Sequence, residues 1–378
     1  MMRISTLLLV ALAGTPAVAI AQALPTFTLT RELLISPEEA DLASRGAMAV
    51  APSGEVFVAQ GTENLIKVFA TSGEARQVGR GGGGPGEFQR LTRIGFVGDS
   101  LWALDVGLNR VSIFSSTGEY VRSFPMPGRE EREPIPASYY TQAVLPGGDL
   151  RVLAALRYTM PLPSWTKGID SGSTVLVRVS PSGTFRRLLQ VIPPSRCRVD
   201  YTFSNGNGSV LIPFCPEHVS THWERSQGVA TVITESDMPG RGAYRVTLVD
   251  EQGQTRFDRR FPYEPIPVSK GALDSLRERE AALPPEFKAN RPTLTPGTHY
   301  PPIRRAILGR DNSVWLEERT TEGGHVWLIL SVTGDPLGRV KLPTNVHLDV
   351  AELGRIWGLI SDEDDLQGVV RYRLGAAR

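Results

Sequence analysis

The chain is poor in the residues that usually announce chemistry: two cysteines, five histidines and six methionines in 378 residues. Its charges nearly cancel, with 41 Lys and Arg against 40 Asp and Glu. That balance leaves no electrostatic footprint for a phosphate backbone or an anionic membrane, so a nucleic-acid binder held by bulk charge is excluded. Cys197 and Cys215 lack metal-ligand spacing, and no cysteine lies near the N-terminal apolar stretch, which argues against a lipid anchor there. Gly79-x-Gly81-x-x-Gly84 fits a dinucleotide fingerprint by its letters. Neither a helical period nor a Lys-Ser or Lys-Thr pair follows it, so it is not a phosphate loop. The apolar run Leu7 to Ala13 is interrupted soon after by Gly14 and Pro16, too early for a comfortable membrane span.

That run instead has the parts of a secretory signal. Arg3 precedes it and the small residues Ala21-Gln22-Ala23 follow, so residues 1–23 read as a signal peptide and the mature chain starts near Leu24, or near Gln22 with cleavage after Ala21. The expected location is periplasmic or extracellular. There a disulfide persists, and Cys197 and Cys215 bracket the turn signal Asn205-Gly206-Asn207-Gly208, which would fold the flanking segments back on each other. We therefore expect a Cys197–Cys215 bridge.

What the chain has in quantity is 38 glycines and 29 prolines set between short β-branched and aromatic runs. The stretch Gly79 to Phe124 holds four such runs, separated by a turn at Gly98-Asp99, a loop from Asp105 to Arg110 and a turn at Thr117-Gly118. This is the grammar of one four-stranded antiparallel blade. It recurs from Ala47 to Val78, from Tyr139 to Ile192, from His218 to Phe261 and from Ile303 to Leu342. The last block, Val346 to Leu374, has only three strands, and the unpartnered strand Phe27 to Ile35 supplies the fourth. One blade cannot bury its faces alone, and closing the ring removes exposed sheet edges. The expected fold is all-β: residues 24–378 form a six-bladed β-propeller of four-stranded blades, closed by the N-terminal strand. One helical insertion is expected at about 268–285, capped by Ser269, with Leu273, Leu276 and Leu283 on one side and Pro284-Pro285 as its stop.

Repeat two resembles the NHL-repeat family and its secreted six-bladed relatives. The matching residues are Gly84-Pro85-Gly86-Glu87-Phe88, Leu101-Trp102-Ala103-Leu104-Asp105, Asn109-Arg110-Val111 and Phe114 to Gly118, with a good match in repeat one and spacing alone from repeat three onward. The resemblance implies a propeller, but such propellers serve as lyases, lactonases, RNA binders and protein-binding platforms, so function has to come from the site.

Two clusters invite a metal reading. His218-x-x-x-His222-Trp223-Glu224 is the densest set of ligand types, and His299 and His325 are scattered as in zinc-dependent lyases resembling this fold. Asp362-Glu363-Asp364-Asp365 offers oxygen donors suited to calcium, although consecutive carboxylates usually form a solvated tip. No set of polar ligands recurs at equivalent inner-strand positions, so no metal is assigned; calcium or zinc belongs to the alternative reading. The other candidate is the face where inter-blade connections and second-to-third-strand loops crowd together. It should collect Arg90, Asp105, Asn109, Arg110, Tyr158, Trp165 and the loop Glu318 to Gly324, with Arg93, Tyr139, Tyr140, His299, Tyr300 and Arg304 from the inner strands. Aromatic and arginine side chains are the types enriched at binding hot spots. The sequence thus points to an exported platform for a protein, peptide or glycan, with no nucleic-acid partner and no membrane span in the mature chain. The alternative is a metal-dependent lyase or lactone hydrolase working in the channel.

Overall fold

The computed structural model describes residues 24–126, 138–156, 164–203, 206–216, 219–220, 228–235, 242–321 and 324–376. Residues 1–23, Tyr158 and, of the His218 to Glu224 motif, all but Val219 and Ser220 lie outside them. A single strand, β1 (Leu29–Ile35), leads into a one-turn helix, α1 (Pro37–Ala40), whose Ser36 and Glu39 form a reciprocal capping box. Blade 1 is β2 (Met48–Val50), β3 (Val56–Gln60), β4 (Leu65–Phe69) and β5 (Ala75–Val78). Blade 2 is β6 (Leu91–Val97), β7 (Ser100–Asp105), β8 (Arg110–Phe114) and β9 (Tyr120–Pro125). Blade 3 is β10 (Ser138–Val144), β11 (Leu150–Ala155), β12 (Thr174–Val179) and β13 (Phe185–Ile192).

A hairpin of β14 (Arg198–Phe203) and β15 (Gly206–Leu211) then leaves the ring, and the Cys197–Cys215 disulfide closes its base. Phe203 pairs with Gly206, so Gly206, Asn207 and Gly208 of the turn signal lie on the returning strand, and Asn205 is outside the described residues. Blade 4 is β16 (Val219–Ser220), β17 (Gly228–Glu235), β18 (Gly242–Asp250) and β19 (Thr255–Tyr263). Two helices follow, α2 (Lys270–Ala281) and α3 (Pro285–Asn290). Ser269 caps α2 through its hydroxyl, which accepts from the Ala272 amide at 3.2 Å. Pro284-Pro285 ends one helix and opens another, because proline needs no amide donor at a first helical position. No residue of α2 is fully buried, so it lies on the surface. Blade 5 is β20 (Ile303–Leu308), β21 (Val314–Glu318), β22 (His325–Leu330) and β23 (Pro336–Leu342). Blade 6 is β24 (Val346–Glu352), β25 (Arg355–Ser361) and β26 (Gln367–Leu374), with β1 paired antiparallel to β26 as its outer strand.

The six four-stranded sheets form a ring, each first strand innermost. Apolar side chains alternate toward the two neighbouring blades and form separate cores at the seams. Phe57, Phe96 and Phe114 fill the seam between blades 1 and 2, and Trp315, Trp327 and Ile356 that between 5 and 6. In blades 1 to 5 the turn from third to fourth strand repeats one device, a glycine at positive φ whose amide bonds back three residues. At Gly118 a Cβ would also stand 2.3 Å from Val78, so the neighbouring blade sits where a side chain would.

Candidate functional site

In four blades the first strand carries one residue more than its partner. The extra residues are Thr92, Gln142, Arg304 and Asp349. Such a bulge breaks the two-residue alternation and re-aims a side chain. Thr92, Arg304 and Asp349 line a cavity of about 740 Å³ at the mouth of the central channel. That volume lies within the ~300 to 1,000 Å³ usual for small-ligand sites. Blades 1, 2, 4, 5 and 6 all contribute to its wall.

The lining is dominated by positive charge. Arg45, Arg90, Arg304 and Arg305 face a single carboxylate, Asp349. Arg305 donates through Nη2 to the Leu348 carbonyl at 2.7 Å and lies 5.5 Å over the Trp327 ring, so its fork is held in place. Arg304 stands 3.6 Å from Glu317, which is only 2% exposed and takes a closer contact, 2.7 Å, from His325 Nδ1. Behind them Arg319 stacks 4.5 Å over the Tyr300 ring, and burial pulls its guanidinium below the usual arginine range.

Asp349 Oδ1 lies 2.9 Å from His347 Nδ1, and Oδ2 accepts from the Leu359 amide at 3.3 Å. With the carboxylate as acceptor, Nδ1 carries the proton and leaves Nε2 as the basic nitrogen. Burial pushes the Asp349 carboxyl up to about 6, while Arg305, Arg45 and the Leu359 amide act in the opposite direction. The pair resembles the orienting half of a proton-transfer unit.

Arg90 and Arg304 lie in this cavity. Arg93 reaches from blade 2 to blade 3, donating to the Thr141 carbonyl and to Gln142 Oε1 at 2.7 and 2.8 Å. Asp105 is fully buried and accepts from the amides of Gln89, Arg90, Gly107 and Leu108, holding two loops together. Arg110 ties down the glycine-rich lead-in through the carbonyls of Gly83, Gly84 and Glu87. Asn109 takes a left-handed backbone and donates to the Met126 carbonyl. Trp165 stacks on Phe185 with centroids 4.6 Å apart, and Tyr140 is 61% exposed. The Tyr139 backbone pairs with Ala154. His299 is exposed and contacts Thr298, whereas the Tyr300 hydroxyl reaches Ser269 at the head of α2.

The structure thus brings Arg90 and Arg304 together with four residues that the sequence reading missed, Arg45, Arg305, His347 and Asp349. The available signal was His347-x-Asp349 on the first strand of the last repeat.

No family model matches the sequence, and no curated protein does. Among solved structures, the chain is similar to virginiamycin B lyase from Staphylococcus aureus, at 12% identity over 92% of this chain and 100% of that one, with a TM-score of 0.41. A gluconolactonase from Xanthomonas campestris gives 10% identity over 92% and 90% of the two chains, with a TM-score of 0.41. The calcium-binding protein regucalcin from Agrobacterium tumefaciens gives 10%, 94% and 96%, with 0.38. Likenesses this distant carry no argument about the activity of this chain, and the six-bladed ring rests on its own sheet topology.

The metal alternative is weighed on the donor set of this chain. Among the described residues no group of three His, Cys, Asp or Glu side chains could hold an ion. At the mouth, one imidazole and one carboxylate stand among four guanidiniums, a set that does not fit calcium or zinc. In the acidic tip, the Asp362 carboxylate accepts from the amides of Asp364 and Leu366 and shapes its own turn.

Proposed function

We propose that the chain is an exported propeller that binds an anionic ligand in the mouth of its channel. The ligand class is a carboxylate-bearing or sulfated small molecule, including the acidic end of a peptide or glycan. The observation that carries this reading is the excess of four arginines over one aspartate in a cavity of about 740 Å³. Arginine forks match carboxylate and sulfate oxygens two at a time, and a concave, partly dry wall strengthens each contact. The apolar leader and the disulfide support export, and the repeat-two motifs support an origin among NHL-like propellers.

The test is calorimetric titration of residues 24–378 with sugar acids, dicarboxylates, sulfated sugars and matched neutral sugars. Acidic ligands should bind, and the double variant Arg45→Met/Arg90→Met should weaken them at least tenfold while leaving the unfolding transition in place. Equal binding of neutral and acidic sugars would overturn the reading.

The His347–Asp349 pair favours one second reading, in which Nε2 of His347 takes a proton from the bound ligand in a lyase reaction or from the attacking water in a hydrolase reaction. Under it His347→Asn abolishes turnover and leaves affinity within about twofold. Under the binding reading alone, no member of the ligand panel is turned over.

A further inference from the structure

The seam between blades 3 and 4 differs in kind from the other five. Its buried apolar residues are Leu176, Leu189, Ile192, Val229 and Val249, a far smaller set than the cores on either side. Polar side chains occupy the rest. Gln190 donates to the Thr231 hydroxyl across the seam at 2.6 Å. Arg151, on the second strand of blade 3, donates through Nη1 to the Gly228 carbonyl of blade 4 at 2.8 Å.

Arg151 is 2% exposed, and its Nε and Nη2 are buried with no partner. No carboxylate among the described residues forms an ion pair with it. Burial, together with repulsion from Arg93, pulls its guanidinium down to about 10. The two arginines meet at the blade 3 bulge: Arg93 binds Thr141 and Gln142, and the next residue, Ala143, pairs with Arg151. The Thr141 hydroxyl is itself buried without a partner.

A guanidinium taken out of water must have both its charge and its donors answered. A water molecule would satisfy the orphaned N–H groups but would leave the buried positive charge of Arg151 unanswered. A small anion satisfies both. We infer that the seam between blades 3 and 4 binds a monovalent, halide-sized anion on Nε and Nη2 of Arg151. This site is separate from the arginine-lined mouth and acts as a structural keystone where apolar packing is thinnest.

Bromide is the probe. The protein, residues 24–378, is moved into methanesulfonate buffer at fixed pH and ionic strength and titrated with bromide while thermal unfolding is followed. The midpoint should climb by several degrees with the logarithm of bromide concentration. Arg151→Met should be flat in bromide and at least as stable as the parent without it, because it removes a buried charge. Crystals soaked in bromide should show anomalous density within hydrogen-bond reach of Arg151.

A flat parent, an equal slope in parent and variant, or an ordered water with no anomalous peak at Arg151 would each overturn the inference. If Arg151→Met does not fold, the parent's slope and anomalous map decide alone. The Arg45→Met/Arg90→Met protein should keep the full bromide response, so failure at the mouth and failure at the seam read out separately.

Discussion

Blades 2 and 6 each bury a carboxylate close to the channel, and they treat it in opposite ways. Blade 2 is one contiguous stretch, and its Asp105 is saturated by four backbone amides from two loops. Blade 6 is assembled from both ends of the chain, and its Asp349 keeps one amide, one imidazole and the field of two arginines. A carboxylate used up by backbone donors is part of the scaffold. One held chiefly by side chains at a cavity wall can still exchange protons or partners with a ligand. Residue type and burial alone do not separate structural from functional acids; the identity of the donors does.

The largest test breaks blade 6 outright. Deleting residues 24–35 removes β1 and exposes the edge of β26, and cooperative unfolding should be lost. A thermal transition close to that of the intact protein would refute closure by the N-terminal strand.

Next comes Asp105→Ala, which leaves four part-buried amides without their acceptor and should cost about 4 kcal/mol, read from the urea midpoint. A loss below about 1 kcal/mol would place the clamp elsewhere.

Asp349→Asn should move stability the other way. The folded state holds the Asp349 proton up to about pH 6, whereas the ordinary carboxyl value is 3.8. Across that window the folded chain binds more protons than the unfolded one, so this group's contribution to stability falls as pH rises. Above the window the desolvated charge is carried, its cost only partly offset by Arg305, Arg45 and the Leu359 amide. The variant should gain on the order of 2 kcal/mol at pH 7 and lose this part of the pH dependence between roughly 4 and 6. An unchanged pH profile would sink the contrast with Asp105.

The smallest effect belongs to Glu32 on β1, which sits 3.0, 3.3 and 3.6 Å from Arg355, Arg371 and Arg373. Glu32→Gln should cost about 1 kcal/mol, as a partly exposed network does, and the loss should shrink in high salt.

The blades were legible because their signals are local. Glycine turns such as Thr71-Ser72-Gly73 and Thr117-Gly118 and alternating runs such as Val56 to Ala59 fall where the strands are. The return of Phe27 to Ile35 followed from counting strands in the last block. Ser269 was readable as a cap because its role depends on the next three residues. The mouth was only half legible for the converse reason. Arg45, Arg305 and His347 lie far apart in the chain and meet only because the ring closes. Bulges at Arg304 and Asp349 add a further obstacle, since one extra residue reverses the faces that a two-residue period assigns. Arg151 was hidden in a strand that otherwise reads as core, Leu150 to Ala155.

The pairing of β1 with β26 also sets a timetable. Chains are made N-terminus first, so β1 emerges with its partner still some 330 residues away. Until Gln367 to Leu374 arrives, one sheet is incomplete and two edges are open. The ring can close only once β26 is available, and a chain cut before Gln367 cannot complete its last sheet.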